Sequence, residues 1–219
     1  MRIVVIGGSA GVGLACVEEA LSRGHEVVMF ARSATRSGLS HERLQKIDGD
    51  ARSAADASGA LDGADVVLQT LGVPLDLKLL TGPITLFSES TRVLLPAMAA
   101  AGVTRLIALT GFGAGDSKAA VSALQRPGFE LVMGRAYADK SEQERQIRAS
   151  ALGWTIARPG VLLNGAKSGR YHVLTDPKTW RNGLIRRADV ADFMVGAADS
   201  GEHVARAPVL ISRGLLPFT

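Results

Sequence analysis

The first stretch of the chain constrains it more than any other. Ile3-Val4-Val5-Ile6 is a continuous apolar run of strand length, Gly7-Gly8-Ser9-Ala10-Gly11-Val12-Gly13 is a turn of small residues, and Leu14, Val17 and Leu21 then recur at helical spacing. A strand that turns into a helix through glycines points the helix's first amides beyond the strand end, and small residues let a pyrophosphate approach them. Gly7, Ala10 and Gly13 keep the three-residue spacing of such a loop, with Gly11 beside the alanine. The phosphate-binding set expected here is Gly7, Ser9, Ala10, Gly11, Val12 and Gly13. The same residues also spell Gly7-Gly8-Ser9-Ala10-Gly11, the pattern of a hydrolase nucleophile elbow. That alternative fails on position. An elbow serine needs sheet strands and an oxyanion loop before it, and only six residues precede this turn. The four histidines (His25, His41, His172 and His203) offer no clear triad partner.

Apolar runs alternate with helix-period segments along nearly the whole chain, which predicts a parallel sheet covered by helices. The strands are expected at Arg2 to Ile6, Glu26 to Ala31, Leu44 to Ile47, Ala64 to Thr70, Val103 to Thr110, Thr155 to Arg158 and Pro208 to Ser212. Val93, Leu94, Ala97 and Met98 mark one face of a later helix, Arg135 to Ser150 reads as a further helix, and Gly24 and Gly102 are placed to stop the two earlier ones. No repeat, low-complexity tract or linker divides the sequence. The expectation is one α/β domain over residues 1–219, a Rossmann-type doubly wound parallel sheet in three layers, α/β/α. Its pocket loops are expected mainly within 111–135 and 160–187.

Composition narrows the function classes. Hydrophobic residues make up 47% and charged residues 21%, the profile of a chain with a full core and not of a disordered one. The net charge of +4 is spread without interleaved aromatics, so no nucleic-acid partner is expected. No apolar run reaches the length of a membrane span, and the start lacks the features of a signal peptide, which predicts a cytoplasmic protein that acts on a small molecule away from membranes. Cys16 is the single cysteine and falls among apolar residues, where a buried filler is expected over a nucleophile. No metal is expected, and the oligomeric state is open between monomer and dimer.

Beyond the second strand the chain reads Ala31-Arg32-Ser33-Ala34-Thr35-Arg36, with no acid between Phe30 and Gly38. A site for NAD places Asp or Glu at this strand end for the ribose 2′-hydroxyl, whereas a 2′-phosphate needs cations. Arg32 and Arg36 are therefore expected to select NADP(H), the alternative being two solvated loop arginines.

Taken with the glycine loop and Ala31-Arg32, several later pieces carry a resemblance: Asp48-Gly49-Asp50, Leu71-Gly72, Leu109-Thr110-Gly111, Tyr137-Ala138-Asp139-Lys140 with Glu144, Trp154 to Gly160, and Arg186 to Ala191. The chain resembles the atypical short-chain dehydrogenase/reductases, in particular the small NAD(P)H-binding group with the flavin and biliverdin reductases and the NmrA-like regulators. The likeness covers nearly its whole length. It implies a cofactor along the carboxyl edge of the sheet, with Asp50 near adenine, Leu71 and Gly72 along the ribose, and Pro159, Gly160 and Val161 beside the nicotinamide. It also implies a substrate pocket from the loops after the fourth, fifth and sixth strands, where Phe112 and Tyr171 either line the pocket or belong to the core.

The common short-chain reductases carry Tyr-x-x-x-Lys and a serine after the fifth strand. Here Tyr137 and Lys140 are one residue closer, and Thr110 followed by Gly111 stands at the serine's place. Residues three apart still share a helix face. Lys140 is then implied as a ribose contact, with Tyr137 as a proton donor or a packing residue and Thr110 beside them. Two functions are expected to compete: an NADPH-dependent oxidoreductase that passes hydride to a flavin- or quinone-like acceptor, and a non-catalytic NADP(H) sensor that acts through a protein partner. Epimerase chemistry on a nucleotide sugar is disfavoured, because few residues follow Gly160 to build a substrate lobe.

Overall fold

The computed structural model describes residues 1–73, 84–122 and 126–214, and the side chains of all of these except 126–132. The chain runs β1 (Arg2–Ile6), α1 (Gly11–Ser22), β2 (Glu26–Ala31), β3 (Leu44–Asp48), α2 (Ala54–Ala60) and β4 (Val66–Gln69). It continues with α3 (Leu86–Ala100), β5 (Arg105–Leu109), α4 (Arg126–Ala149), β6 (Gly153–Pro159) and β7 (Val161–Leu163). The last elements are β8 (Tyr171–Leu174), β9 (Leu184–Arg186), α5 (Arg187–Ser200) and β10 (Val209–Ser212).

Eight strands form one sheet in the order β3-β2-β1-β4-β5-β6-β10-β8, parallel throughout except for β8, which is antiparallel to β10. The expected α/β fold with a doubly wound parallel sheet is what the structure shows. The inner strands are apolar along their length because helices cover both faces. Ile3 and Val5 face the side packed by α1 and α5, whereas Val4 and Ile6 face the other side, with Leu94 and Met98 of α3. All seven expected strands form, with ends shifted by at most two residues. Three more were not read from the sequence. β7 and β9 make a separate two-stranded parallel sheet, and β8 is an edge strand. Each is only three or four residues long, too short for a periodic signal.

Local rules explain where α1 starts and stops. Gly24, at φ +87°, ends it beyond the Arg23 cap. At its start, Gly7 turns the chain at φ +87° with its N–H donating to Phe30 O at 2.8 Å, and Gly13 packs against that turn. A Cβ on Gly13 would stand 2.1 Å from Gly7 O and 2.6 Å from Thr70 Oγ1, so only glycine fits. Thr70 Oγ1 itself donates to Ile6 O at 2.8 Å. The ends of β1 and β4 are thereby joined through α1's first turn. This is where the strand order reverses, the position at which open α/β sheets bind ligands.

Gly13→Ala is expected to cost about 3 kcal/mol, roughly 10 °C in melting temperature for a chain of this size, since backbone must move to admit the methyl group. Thermal and urea denaturation monitored by circular dichroism measure it. A variant as stable as wild type would show that the loop relaxes freely.

Candidate functional site

Glycine supplies a different property two positions earlier. Gly11 has φ +58°, yet a Cβ built on it meets nothing within 4 Å. The N-cap residue of α1, Ala10, gives it no side-chain cap, and its first turn carries no acid. The loop is therefore packed from behind at Gly13 and open in front at Ala10 and Gly11, which are exposed, with Ser9 half-buried beside them and Val12 buried beneath. That is the shape of a phosphate cradle, and it fits a dinucleotide. No histidine hydrogen-bonds Ser9 among the described residues. His25 pairs with Asp199 at 2.8 Å, and His41 accepts from Arg43 N–H.

At the ends of β2 and β3, Arg32 and Arg36 are exposed, and neither guanidinium has a hydrogen-bond partner among the described residues. The nearby acids are engaged elsewhere. Asp48 accepts from Thr35 N–H at 2.9 Å and Thr35 Oγ1 at 2.5 Å, bonds that hold its carboxyl below the usual range. Asp50 is bound by Arg52 at 2.8 Å, which lowers it too, with a smaller contribution from the Arg32 charge. Leu71 and Gly72 follow β4 directly opposite the glycine turn; a Cβ on Gly7 would lie 3.1 Å from Leu71 N.

Helix α4 brings the remaining polar groups to the same edge. Tyr137, Lys140, Ser141 and Glu144 share one face by their spacing. Lys140 Nζ donates to Thr110 O at 2.7 Å and stands 5.0 Å from the Phe87 ring centroid and 5.1 Å from that of Tyr137. Burial lowers its ammonium to about 8, against a smaller upward pull from Glu144. Burial also pushes the Tyr137 hydroxyl up to about 12. Gly111 is needed beneath it, because a Cβ there would lie 2.5 Å from Tyr137 Oη. Leu71, Val73, Ile84 and Phe87 pack with Ala136 and Tyr137 into an apolar wall beside the lysine.

Thr110 is 2% exposed, and its hydroxyl donates to Glu144 Oε1 at 2.8 Å. Its contribution to the edge is therefore its carbonyl, which holds Lys140, and not a free hydroxyl. Pro159 ends β6 and accepts from Phe112 N–H at 2.9 Å. Gly160 is pressed against Gly183 O, at 2.2 Å from a built Cβ, and Val161 is 45% exposed at the base of β7. Phe112 is buried with Val121, Val209 and Ile211, and Trp180 packs against them. Tyr171 packs on the α1 and α5 side, with its hydroxyl donating to Asp192 at 2.8 Å. Phe112 is thus buried and Tyr171 half-buried against their neighbours. Part of the expected pocket stretch, residues 123–125 and the side chains of 126–132, lies outside the described residues.

Sequence reading passed over the group that holds this edge together. Arg158 is fully buried at the end of β6, with Nε donating to Glu144 Oε1 at 2.9 Å and Nη2 reaching Glu144 Oε2 and Asp116 Oδ1. The two carboxylates outweigh burial and raise its guanidinium above the ordinary value. The signal was an arginine inside a buried parallel strand, which demands a carboxylate partner. Asp139 likewise acts at a distance. It caps α3, accepting from Phe87 N–H at 2.8 Å and Ser88 N–H at 3.3 Å.

Comparison with known proteins agrees with this geometry. A family model described as NAD(P)H-binding matches residues 7–200. The chain is 26% identical to the solved structure of ChuY, an anaerobillin reductase from Escherichia coli O157:H7, covering 99% of this chain and 100% of that one with a TM-score of 0.81. It is 25% identical to SP1627, a putative NADH-flavin reductase from Streptococcus pneumoniae TIGR4, covering 97% and 100% with a TM-score of 0.76. A short-chain dehydrogenase/reductase from Veillonella parvula DSM 2008 in complex with NADP shares the fold at 16% identity, covering 98% and 95% with a TM-score of 0.81. With the open glycine cradle at the switch point and a family match from the glycine turn to the end of α5, the chain belongs to the NAD(P)H-binding family.

Proposed function

We propose that this protein is an NADPH-dependent oxidoreductase that reduces a small conjugated acceptor of the flavin or quinone type. The observation that carries the choice of cofactor is the pair of exposed, unbonded guanidiniums at the end of β2, where the neighbouring acids already have partners. The likeness to two solved proteins at 26% and 25% identity, an anaerobillin reductase and a putative NADH-flavin reductase, supports the reaction class. When bound, the reduced nicotinamide supplies the hydride. The protein's part is binding and orientation. The α1 amides receive the pyrophosphate, Arg32 and Arg36 the 2′-phosphate, and Lys140 the ribose hydroxyls, while Val161 and the wall around Phe87 bound the space for a flat acceptor.

A hydroxyl raised to about 12 is a weak proton donor at neutral pH, and Tyr137 is packed over Gly111. The proposed acceptors suit this. A flavin or quinone accepts hydride at a ring atom and can take its proton from water afterwards. The same observation favours the one rival reading, a sensor that binds NADP(H) without turnover.

NADPH is expected to bind at least tenfold more tightly than NADH, because charge-assisted contacts contribute about 1.5 to 3 kcal/mol each. Calorimetry with both cofactors on wild type and Arg32→Ala measures this, and equal wild-type affinities would sink the NADP assignment. Gly11→Val is expected to remain folded, with a backbone penalty of about 1 kcal/mol from its positive φ, but to lose NADPH binding because its side chain fills the open cradle. Near-normal binding by a folded variant would place the phosphates elsewhere.

The reaction is tested by following NADPH oxidation with FMN, riboflavin and a small quinone. Lys140→Ala is expected to weaken NADPH binding and turnover together. Tyr137→Phe is expected to lose less than about tenfold, below the usual 10² to 10⁴ contribution of a general acid. A hundredfold loss would make the tyrosine an acid and the substrate a carbonyl. Tight NADPH binding without turnover on any acceptor would favour the sensor.

A further inference from the structure

Glu144 lies one helical turn beyond Lys140 on α4 and is 1% exposed, so it touches no part of the open cleft. It nevertheless accepts three hydrogen bonds, one from Thr110 Oγ1 and two from Arg158. Thr110 is thereby fixed on every side. Its N–H donates to Ala157 O at 2.9 Å, its hydroxyl donates to Glu144 at 2.8 Å, and its carbonyl accepts the Lys140 ammonium at 2.7 Å. Arg158 cannot swing away, because Asp116 shares its Nη2 with Glu144 and the Trp180 ring lies 5.0 Å from its Cζ.

We infer that Glu144 is the positioning residue of this site: it locks Thr110, and through the Thr110 carbonyl it sets where the Lys140 ammonium stands at the cleft. The inference rests on the reading of Lys140 as a cofactor contact. One proton of the ammonium is spent on Thr110, which leaves two for ribose hydroxyls.

Charge adds to the geometry. From α4, Lys140 faces Tyr137 and Glu144. From the end of β5 it meets the Thr110 carbonyl, and from α3 the uncharged Phe87 ring. The Asp139 carboxylate is turned to the α3 amides, while Arg158 and Asp116 lie behind Glu144. Among the described residues, Glu144 is thus the carboxylate that favours the ammonium against its burial. The sign follows. Lys140 is protonated below its midpoint and neutral above it, so NADPH affinity falls as pH rises through about 8. Without the Glu144 charge the lysine loses its proton at lower pH, and the fall begins earlier.

The experiment follows the Lys140 Cε resonance by NMR against pH in isotope-labelled protein without cofactor, assigned by its loss in Lys140→Met, and NADPH affinity against pH by fluorescence. Glu144→Gln is expected to lower the lysine midpoint by about one pH unit and to weaken NADPH binding at neutral pH by about tenfold. Thr110→Val keeps every charge and removes only the hydroxyl. It is expected to weaken NADPH binding several-fold with the lysine midpoint little changed.

A merely structural Glu144 would lower the melting temperature without moving the lysine midpoint, and that result in folded Glu144→Gln overturns the inference. Should Glu144→Gln not fold, Thr110→Val decides, and wild-type affinity in it overturns the inference equally. If Lys140→Met binds NADPH as wild type does, the cofactor reading of Lys140 fails instead, and the lysine titration alone decides the link to Glu144.

Discussion

The ion pair between Arg158 and Glu144 is the constraint on which the carboxyl edge depends. Both groups are out of water, and removing two charges from water costs several kcal/mol per ion before their attraction returns any of it. Such a pair persists only with full hydrogen bonding, and losing one partner typically costs about 3 to 5 kcal/mol because the other charge stays buried and alone. Here the bonding is nearly complete: Thr110, Asp116 and Glu144 all take part, and the Trp180 ring covers the guanidinium. The consequence is geometric. One interaction fixes the ends of β5 and β6, the rotation of α4 and the loop that carries Asp116.

Helix α4 is set by polar partners as much as by apolar packing. Its buried face carries Ala136 and Ile147, but also Asp139, Gln143 and Glu144. Each of the three answers a specific demand. Asp139 supplies the N-terminal cap that α3 lacks, Gln143 donates to Gln69 at 2.9 Å, and Glu144 neutralises Arg158. Apolar burial is non-directional, whereas three hydrogen-bonded partners each fix a direction. Lys140 and Tyr137, at the margin of that face, therefore reach the sheet edge in one orientation.

This explains what could be read in the sequence and what could not. The strands from Ile3-Val4-Val5-Ile6 onward were legible because buried parallel strands are apolar throughout, and the glycine turn was legible because no other residue fits at Gly13. Tyr137 and Lys140 stood out by type and spacing. Thr110 and Glu144 were picked out as well, but not their link to Lys140, because Thr110 O is a backbone atom and Glu144 acts through that residue. Phe112 and Tyr171 were ambiguous for a physical reason: an aromatic side chain after a strand end can cover either a ligand or a neighbouring helix, and only the path of the chain decides. That path runs through β7, β8 and β9, the three strands too short to predict.

The two ends of the cleft are built on opposite electrostatic principles. Around Lys140, charge is buried and every position is fixed by a partner, so orientation is settled before any ligand arrives and little ordering entropy remains to be lost on binding. At the ends of β2 and β3 the arginines are exposed and unbonded, and the acids that could have trapped them are held by Thr35 and Arg52. A solvated guanidinium of this kind loses no hydrogen-bonded ion pair when it turns to a phosphate, although the nearby Asp48 and Asp50 carboxylates offset part of its potential. On the proposed function, orientation would reside at the buried end, with Lys140, and discrimination between the two nicotinamide cofactors at the exposed one, with Arg32 and Arg36. A change at Arg32 or Arg36 would alter cofactor preference without disturbing the geometry at Lys140, because no described hydrogen bond connects the two ends except through the sheet itself.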